Sequence, residues 1–306
     1  MKFATCRYKG AEHLAVVQGS DLRPDHAELL LLHSSARSVL NSMQGLIEAG
    51  ADGLNEIIKR VNGLDALSVS ADQVSWLAPL PNPRRNIICL GWNYAEHAKE
   101  SAAVKDVNIQ ELPTHPIIFT KATTSINGPF DDVDYDPRVS RRLDWEVELG
   151  VIIGKSGRHI TVAQAYEHIF GYTVINDISA RDLQKRHQQF FMGKSVDGTC
   201  PMGPWIITAD EIGDPQQLDL SCKVNGVVKQ QGNTRQQIFD VATTISTLSK
   251  VMTLLPGDII ATGTPSGVGF ARNPPEYLQP GDVVECEVEN IGSIRNKIVA
   301  VSESSF

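Results

Sequence analysis

Cysteine is scarce in this 306-residue chain and never patterned. Cys6, Cys89, Cys200, Cys222 and Cys286 are far apart, odd in number, and form no C-x-x-C. That argues against a zinc ribbon and against a disulfide framework. No apolar run approaches the about 18 residues of a membrane span. Met1 to Gly10 lacks the apolar stretch of a signal peptide. A cytoplasmic protein with no membrane partner is the expectation. Positive charge is also in short supply: 28 Lys and Arg stand against 36 Asp and Glu, a formal net charge of −8. A surface of that sign repels a phosphate backbone, so nucleic acid is not an expected partner. Any anionic ligand must be met by local positive charge. Repeats and low-complexity segments are absent as well.

The remaining composition is that of a globular protein, 42% hydrophobic and 21% charged. Residues 1 to about 80 read as a small α/β module. Phe3 to Tyr8 and His13 to Gln18 form a strand pair across Lys9-Gly10. Ala36 to Ala49 carries Val39, Leu40, Met43, Leu46 and Ile47 at helical spacing, with Gly50 and Gly53 as stop signals. Pro79, Pro81 and Pro83 mark a linker. From residue 85 to 306 short strands and turns dominate. Asn86 to Leu90, Trp145 to Ile153 and Tyr172 to Asp177 are strand candidates. Two Pro-Gly-Asp turns, Pro256–Asp258 and Pro280–Asp282, lead into Ile259 to Thr262 and Val283 to Val288. A helix is expected over Ser179 to Gln188, capped by Ser179 with Asp182 in the capping-box position. Another lies within Ile238 to Thr253, with Val241, Ile245, Leu248 and Met252 on one side. The pattern is α+β and β-rich.

Five segments could carry chemistry. In Asp144-Trp145-Glu146-Val147-Glu148-Leu149, the two glutamates share one face of a strand. Two close, partly buried carboxylates do not both stay ionised without a cation, and oxygen ligands select a hard ion. The plain alternative is a solvated acidic face, as Glu285, Glu287 and Glu289 are read here. Glu146 and Glu148 differ in running straight into the apolar Val151-Ile152-Ile153. Asp177 ends a second apolar strand, where it is either a third ligand or a turn residue. Arg181 and Gln184 are three apart on the expected helix and face either a ligand or solvent; Lys194 follows. His97 and Glu100 are one helical turn apart, a usable general-base pair or an incidental surface contact. Thr262 to Gly269 is a glycine-rich loop around Thr264 that matches neither a phosphate loop nor a nucleophile elbow.

Their order is informative. GxNYxxHxxE, a Lys before Gly-Pro, LDWEVELGVIIG, GYTVINDISARDLQ, GKSxDGxCPMGP and PGDIIATGTPSGVG succeed one another from residue 91 to 269. Over about residues 85–300 this resembles the fumarylacetoacetate hydrolase family, specifically its bacterial and mitochondrial two-part members. The resemblance implies a mixed β-sandwich roll, and a homodimer. It implies that Glu146, Glu148 and Asp177 bind Mg²⁺, with Mn²⁺ or Ca²⁺ able to substitute. It implies that His97 and Glu100 form a catalytic pair on a lid, with Ala102 to Thr114 shaping the pocket. Lys121, Arg181, Gln184, Lys194 and Thr264 match positions around substrate and metal, Lys194 among the catalytic residues. One departure is clear. The longer animal enzyme has a fourth metal carboxylate just before its catalytic His, where this chain has Gly91 to Tyr94; water is expected there, which weakens fumarylacetoacetate itself as the substrate.

The implied substrate is a small anionic oxo-acid. A 2-oxo acid chelates the ion, which acts as a Lewis acid and stabilises an enolate. The leading expectation is C–C hydrolysis of a 2,4-dioxo acid such as an acylpyruvate. The alternative is isomerisation or decarboxylation of a 2-hydroxy-diene or 2-oxo acid, oxaloacetate included, in aromatic-acid catabolism. A non-catalytic metal-binding scaffold is a third possibility, which the complete His97–Glu100 pair argues against.

Overall fold

The computed structural model describes residues 1–19, 21–32, 39–63, 66–104 and 112–301. The chain opens with strands β1 (Lys2–Tyr8) and β2 (Ala11–Gln18). They are joined at Lys9 and Gly10, whose φ of 48° and 82° match the tight hairpin turn that the right-handed twist favours. β3 (Glu28–Leu32) follows, then helix α1 (Met43–Asn62), β4 (Ala66–Ser70) and β5 (Ser75–Leu77). After the prolines come β6 (Ile87–Gly91), α2 (Ala95–Val104), β7 (Ile117–Lys121), β8 (Ile126–Asn127), β9 (Val133–Tyr135), β10 (Leu143–Asp144) and β11 (Val147–Ile153). β12 (Ile169–Asn176), β13 (Ser179–Ala180), α3 (Arg181–Arg186), α4 (Phe191–Lys194) and β14 (Cys200–Thr208) complete the middle third. The last third holds α5 (Ala209–Ile212), β15 (Asp219–Val224), β16 (Val227–Asn233), α6 (Val241–Val251), β17 (Ile259–Ala261), β18 (Val283–Val288) and β19 (Gly292–Ala300).

The architecture is the strand-rich α+β arrangement expected. One large sheet runs β4-β3-β2-β1-β14-β12-β11-β17-β6-β7, with β5 on β1 and β8 on β14. A second sheet runs β16-β15-β18-β19-β9. Every residue of β11 and β12 is buried, as a strand covered on both faces requires. Alternate side chains enter separate cores. Leu149, Val151 and Val174 join Cys222, Val284, Cys286 and Ile294 of the second sheet in one. Ile152, Phe170 and Ile175 join Met43, Leu46 and Ile57 of α1 in the other. Glu287 and Glu289 are exposed, as read from the sequence, whereas Glu285 is half-buried beside Arg295. The sheet does not stop at the prolines: β1 pairs antiparallel with β14, and Thr5 Oγ1 donates to the Pro79 carbonyl at 2.6 Å.

Three local expectations are corrected. Gly50 does not end the first helix: it bends it, at φ 53° and ψ −133°, and α1 continues to Asn62. Gly53 serves close packing, since a Cβ there would sit 2.7 Å from Ala49 Cβ and 3.1 Å from Leu40 Cδ2. The helix begins at Met43, capped by Ser42, and the expected start at Ala36 lies outside the described residues. Ser179 is not a helix cap: it lies in β13 and its hydroxyl donates to the Asp177 carbonyl. α3 starts two residues later, and Asp182 accepts from Ser140 Oγ at 2.6 Å. Trp145 and Glu146 fall between β10 and β11, so the expected strand is two pieces with a break at the first glutamate. Among the described residues no helix is long and apolar enough to cross a membrane.

Candidate metal centre

Register creates the site. β11 and β12 are antiparallel with Val147 opposite Asn176, so the start of one lies beside the end of the other. Asp177 N donates to the Glu146 carbonyl at 2.9 Å, and Glu146 N donates to Asn176 Oδ1 at 3.0 Å. These bonds pin the break before β11 against the exit of β12. Glu146, Glu148 and Asp177, all buried, thereby bring one oxygen each within 4.8 Å of one another. On the other side β17 pairs with β11, and beyond it Gly263 N donates to Glu148 Oε2 at 2.7 Å.

Buried cations surround this triad. Lys194 Nζ lies 2.6 Å from Glu146 Oε2 and 2.6 Å from Asp177 Oδ2. Lys121 Nζ lies 2.8 Å from Asp177 Oδ1 and donates to the Ile178 carbonyl. Arg181 bridges Asp144, at 2.8 Å from Nε, and Glu146, at 2.7 Å from Nη2. The two glutamates respond in opposite ways. Burial opposes ionisation of Glu146, but the Lys194 ammonium and the Arg181 guanidinium outweigh it and hold that carboxyl at about 2. Burial also acts on Glu148, and the nearby carboxylates of Asp177 and Glu146 add to it, pushing Glu148 well above the usual range. The protein's own cations therefore leave one carboxylate of the triad uncompensated. A divalent ion would correct that, and three carboxylate oxygens are the donor set a hard ion takes. The residues fit such an ion.

A cavity of 570 Å³ opens beside the triad, lined by Glu146, Glu148, His97, Arg181, Gln184 and Lys194, with Thr264 at its wall. His97 Nδ1 lies 2.8 Å from Glu100 Oε1 within α2. Glu100 is held in turn by Gly267 N at 3.1 and 3.0 Å. Gly267 has a φ of 103°, and a Cβ there would sit 2.2 Å from the Lys229 carbonyl, so only glycine fits. Arg181 and Gln184 do share a face, with Nη1 to Oε1 at 3.1 Å. The arginine is anchored to carboxylates, however, and does not present a free fork. Thr264 Oγ1 donates to the Val147 carbonyl at 2.8 Å. All ten residues singled out in the sequence thus lie at or beside one centre. Of the segment Ala102 to Thr114, residues 105–111 lie outside the described residues.

Three participants were missed. Asp144 is fully buried and accepts from Arg181 and from the amides of Gly269 and Phe270. It stands two residues before Glu146, just outside the expected strand Trp145 to Ile153 but in phase with the two glutamates. Gln230, from the second sheet, donates to Thr264 Oγ1 and accepts from Val147 N. Asn93 donates to the carbonyls of Phe239 and Thr262, tying the segment before His97 to the loop that carries Thr264. Asn93 stands in the GxNYxxHxxE motif, which gives it no role of its own, and Gln230 has no sequence pattern that would mark it.

Comparison with known proteins agrees with this architecture. Residues 86–299 match the fumarylacetoacetate (FAA) hydrolase C-terminal family. The oxaloacetate tautomerase YisK of Bacillus subtilis (strain 168) is 47% identical over 251 residues, covering 82% of this chain and 82% of that protein. A fumarylacetoacetate hydrolase from psychrophilic Exiguobacterium antarcticum superposes with a TM-score of 0.83 at 38% identity, covering 98% of this chain and 100% of the other. Maleylpyruvate hydrolase from Sphingobium sp. SYK-6, in complex with manganese(II) ion and pyruvate, gives a TM-score of 0.76 at 29% identity, over 99% and 100%. The chain belongs to the fumarylacetoacetate hydrolase family.

Proposed function

We propose that this protein is a divalent-metal-dependent isomerase of small 2-oxo acids, interconverting the enol and keto forms of oxaloacetate. The observation that carries this reading is the 47% identity, over 82% of both chains, to an oxaloacetate tautomerase. It favours isomerisation over the C–C hydrolysis that the sequence first suggested. Hydrolysis stays as the second reading because a structural neighbour is a maleylpyruvate hydrolase holding manganese and pyruvate.

Glu146, Glu148 and Asp177 would hold the ion, Mg²⁺ with Mn²⁺ or Ca²⁺ able to replace it. That ion supplies a Lewis acid for the carboxylate and keto oxygens of a 2-oxo acid. The chain's own groups do the proton chemistry. Lys194, kept protonated by Asp177 and Glu146 despite its burial, offers positive charge to the oxygen on C2. His97 lines the cavity, and its Nδ1 is engaged by Glu100, which leaves Nε2 for the substrate. In the enol-to-keto direction Nε2–H delivers a proton to C3 while the C2 hydroxyl proton leaves to water. In reverse the neutral ring removes a proton from C3, and Glu100 stabilises the imidazolium that forms. No bond between heavy atoms changes and no attacking water is required.

Decay of the enol's ultraviolet absorbance, recorded beside pyruvate release from an acylpyruvate, separates the readings. With saturating Mg²⁺ the enol is expected to decay faster than without enzyme, with little acylpyruvate cleavage. Rapid cleavage without tautomerisation restores the hydrolase. The sequence resemblance also leads us to propose a homodimer, for which light scattering should give about twice the 33.4 kDa chain mass.

A further inference from the structure

The cations nearest the triad are all engaged by carboxylates. Two others that line the same cavity are not. Arg142 and Lys185 are exposed, and neither forms an ion pair among the described residues. In a chain of formal charge −8, these two cations bring to the cavity positive charge that no carboxylate among the described residues neutralises. Their placement is built into the fold. The Arg142 carbonyl accepts from Arg181 N at 3.0 Å, which joins the residue before β10 to the first residue of α3. The Arg142 guanidinium lies 5.8 Å from the centre of the Tyr277 ring, another wall of the cavity. Lys185 stands one helical turn beyond Arg181. Arg181, Gln184 and Lys185 thus form one strip along the cavity at helical spacing, and Gln188, past the end of α3, lines it further out. Along it the side chains pass from buried Arg181, beside the triad, to exposed Lys185 and Gln188.

We infer that Arg142 and Lys185 form a second anionic subsite, which receives the distal carboxylate of a dicarboxylate 2-oxo acid. The inference rests on the reading of the centre as an oxo-acid site and adds the residues that select the second carboxylate, so that dianions are preferred to monoanions of the same length. A 2-oxo acid held by its C1 carboxylate at the triad extends its tail away from Glu146 and Glu148. A second carboxylate therefore needs its own cations, and the inner ones are already paired. An arginine fork suits a carboxylate geometrically, and a lysine adds a mobile charge. The subsite acts equally before and during proton transfer, so its effect falls on binding.

Calorimetric titration of the Mg²⁺-loaded protein with 2-oxoglutarate and 2-oxopentanoate tests this. The two acids have the same carbon count and differ only in a terminal carboxylate or methyl. Wild type is expected to bind 2-oxoglutarate more tightly by on the order of tenfold, the scale of two partly exposed charge contacts. In the double variant Arg142→Gln, Lys185→Gln that preference should collapse, with 2-oxopentanoate still bound as by wild type. An equal preference in both proteins, no preference in wild type, or an equal loss for both acids overturns the subsite. If neither acid binds wild type, the subsite and the proposed function fall together. If both bind and the preference behaves as stated, but oxaloacetate is not tautomerised, only the proposed function falls.

Discussion

Asp144 holds Arg181 by a bond of 2.8 Å from Nε to Oδ2, and both side chains are buried. The same carboxylate accepts from Gly269 N at 2.7 Å and Phe270 N at 3.0 Å, and the Arg181 guanidinium lies 4.3 Å from the centre of the Phe270 ring. One acid thus ties an arginine at the edge of the triad to the loop that carries Thr264 and Gly267. Removing charge from a buried pair leaves the partner poorly compensated. Glu146 still faces Arg181, which limits the loss. Asp144→Asn is expected to lower stability by about 1–3 kcal/mol, read as a shift of the urea midpoint at unchanged slope. A variant as stable as wild type would show that the pair does not hold the loop.

The opposed behaviour of Glu146 and Glu148 gives a pH signature. Without a divalent ion, burial and the carboxylates of Asp177 and Glu146 raise the Glu148 carboxyl well above its usual range. The folded protein then keeps a proton that the unfolded chain releases. Stability from this group is complete below the unfolded value of about 4.3, and is lost as pH rises through the folded one. Glu148→Gln carries no such proton. In chelator, the stability of wild type minus that of Glu148→Gln should fall as pH rises above about 4.3, by at most about 1.4 kcal/mol per pH unit. Saturating Mg²⁺ should abolish the slope for wild type. A difference flat with pH in chelator would mean that Glu148 ionises normally and needs no cation.

His97 is placed to move the proton and Glu100 to orient it. His97→Ala should slow enol–keto interconversion by about 10²–10⁴ while leaving Mg²⁺ affinity intact, because the carboxylates are untouched. Glu100→Gln keeps a hydrogen-bonding group beside Nδ1 but no charge to stabilise the imidazolium, so its loss should be smaller. Wild-type rates from His97→Ala would remove the residue from the proposed mechanism.

Much of the centre was legible because its carriers obey local rules. Val151 to Ile153 and Tyr172 to Ile175 are apolar without alternation, which marks strands covered on both faces, and they are. An acid at the end of each such run is conspicuous, so Glu146, Glu148 and Asp177 could be named individually. What joins them could not be read. The pairing of Val147 with Asn176 is a register between segments about thirty residues apart, set by packing on both faces of the sheet. Gly50 misled because glycine marks both a helix end and a bend, and only the packing of α1 against β3 and β1 decides between them. Ser179 misled for a similar reason: buried in β13, its hydroxyl is used locally instead of by a helix. Gln230 reaches Thr264 from the second sheet, and nothing near residue 230 announces it.

The triad is expected to hold one divalent ion on which activity on a 2-oxo acid depends. Titration of chelator-treated protein with Mn²⁺, following the loss of the free ion's paramagnetic signal and the tautomerisation rate in the same samples, tests it directly. Wild type should bind one ion per chain, with the rate rising in proportion to occupancy, and Glu148→Gln should lose both together while remaining folded. Full activity in the metal-free protein, or undiminished binding by Glu148→Gln, would contradict it.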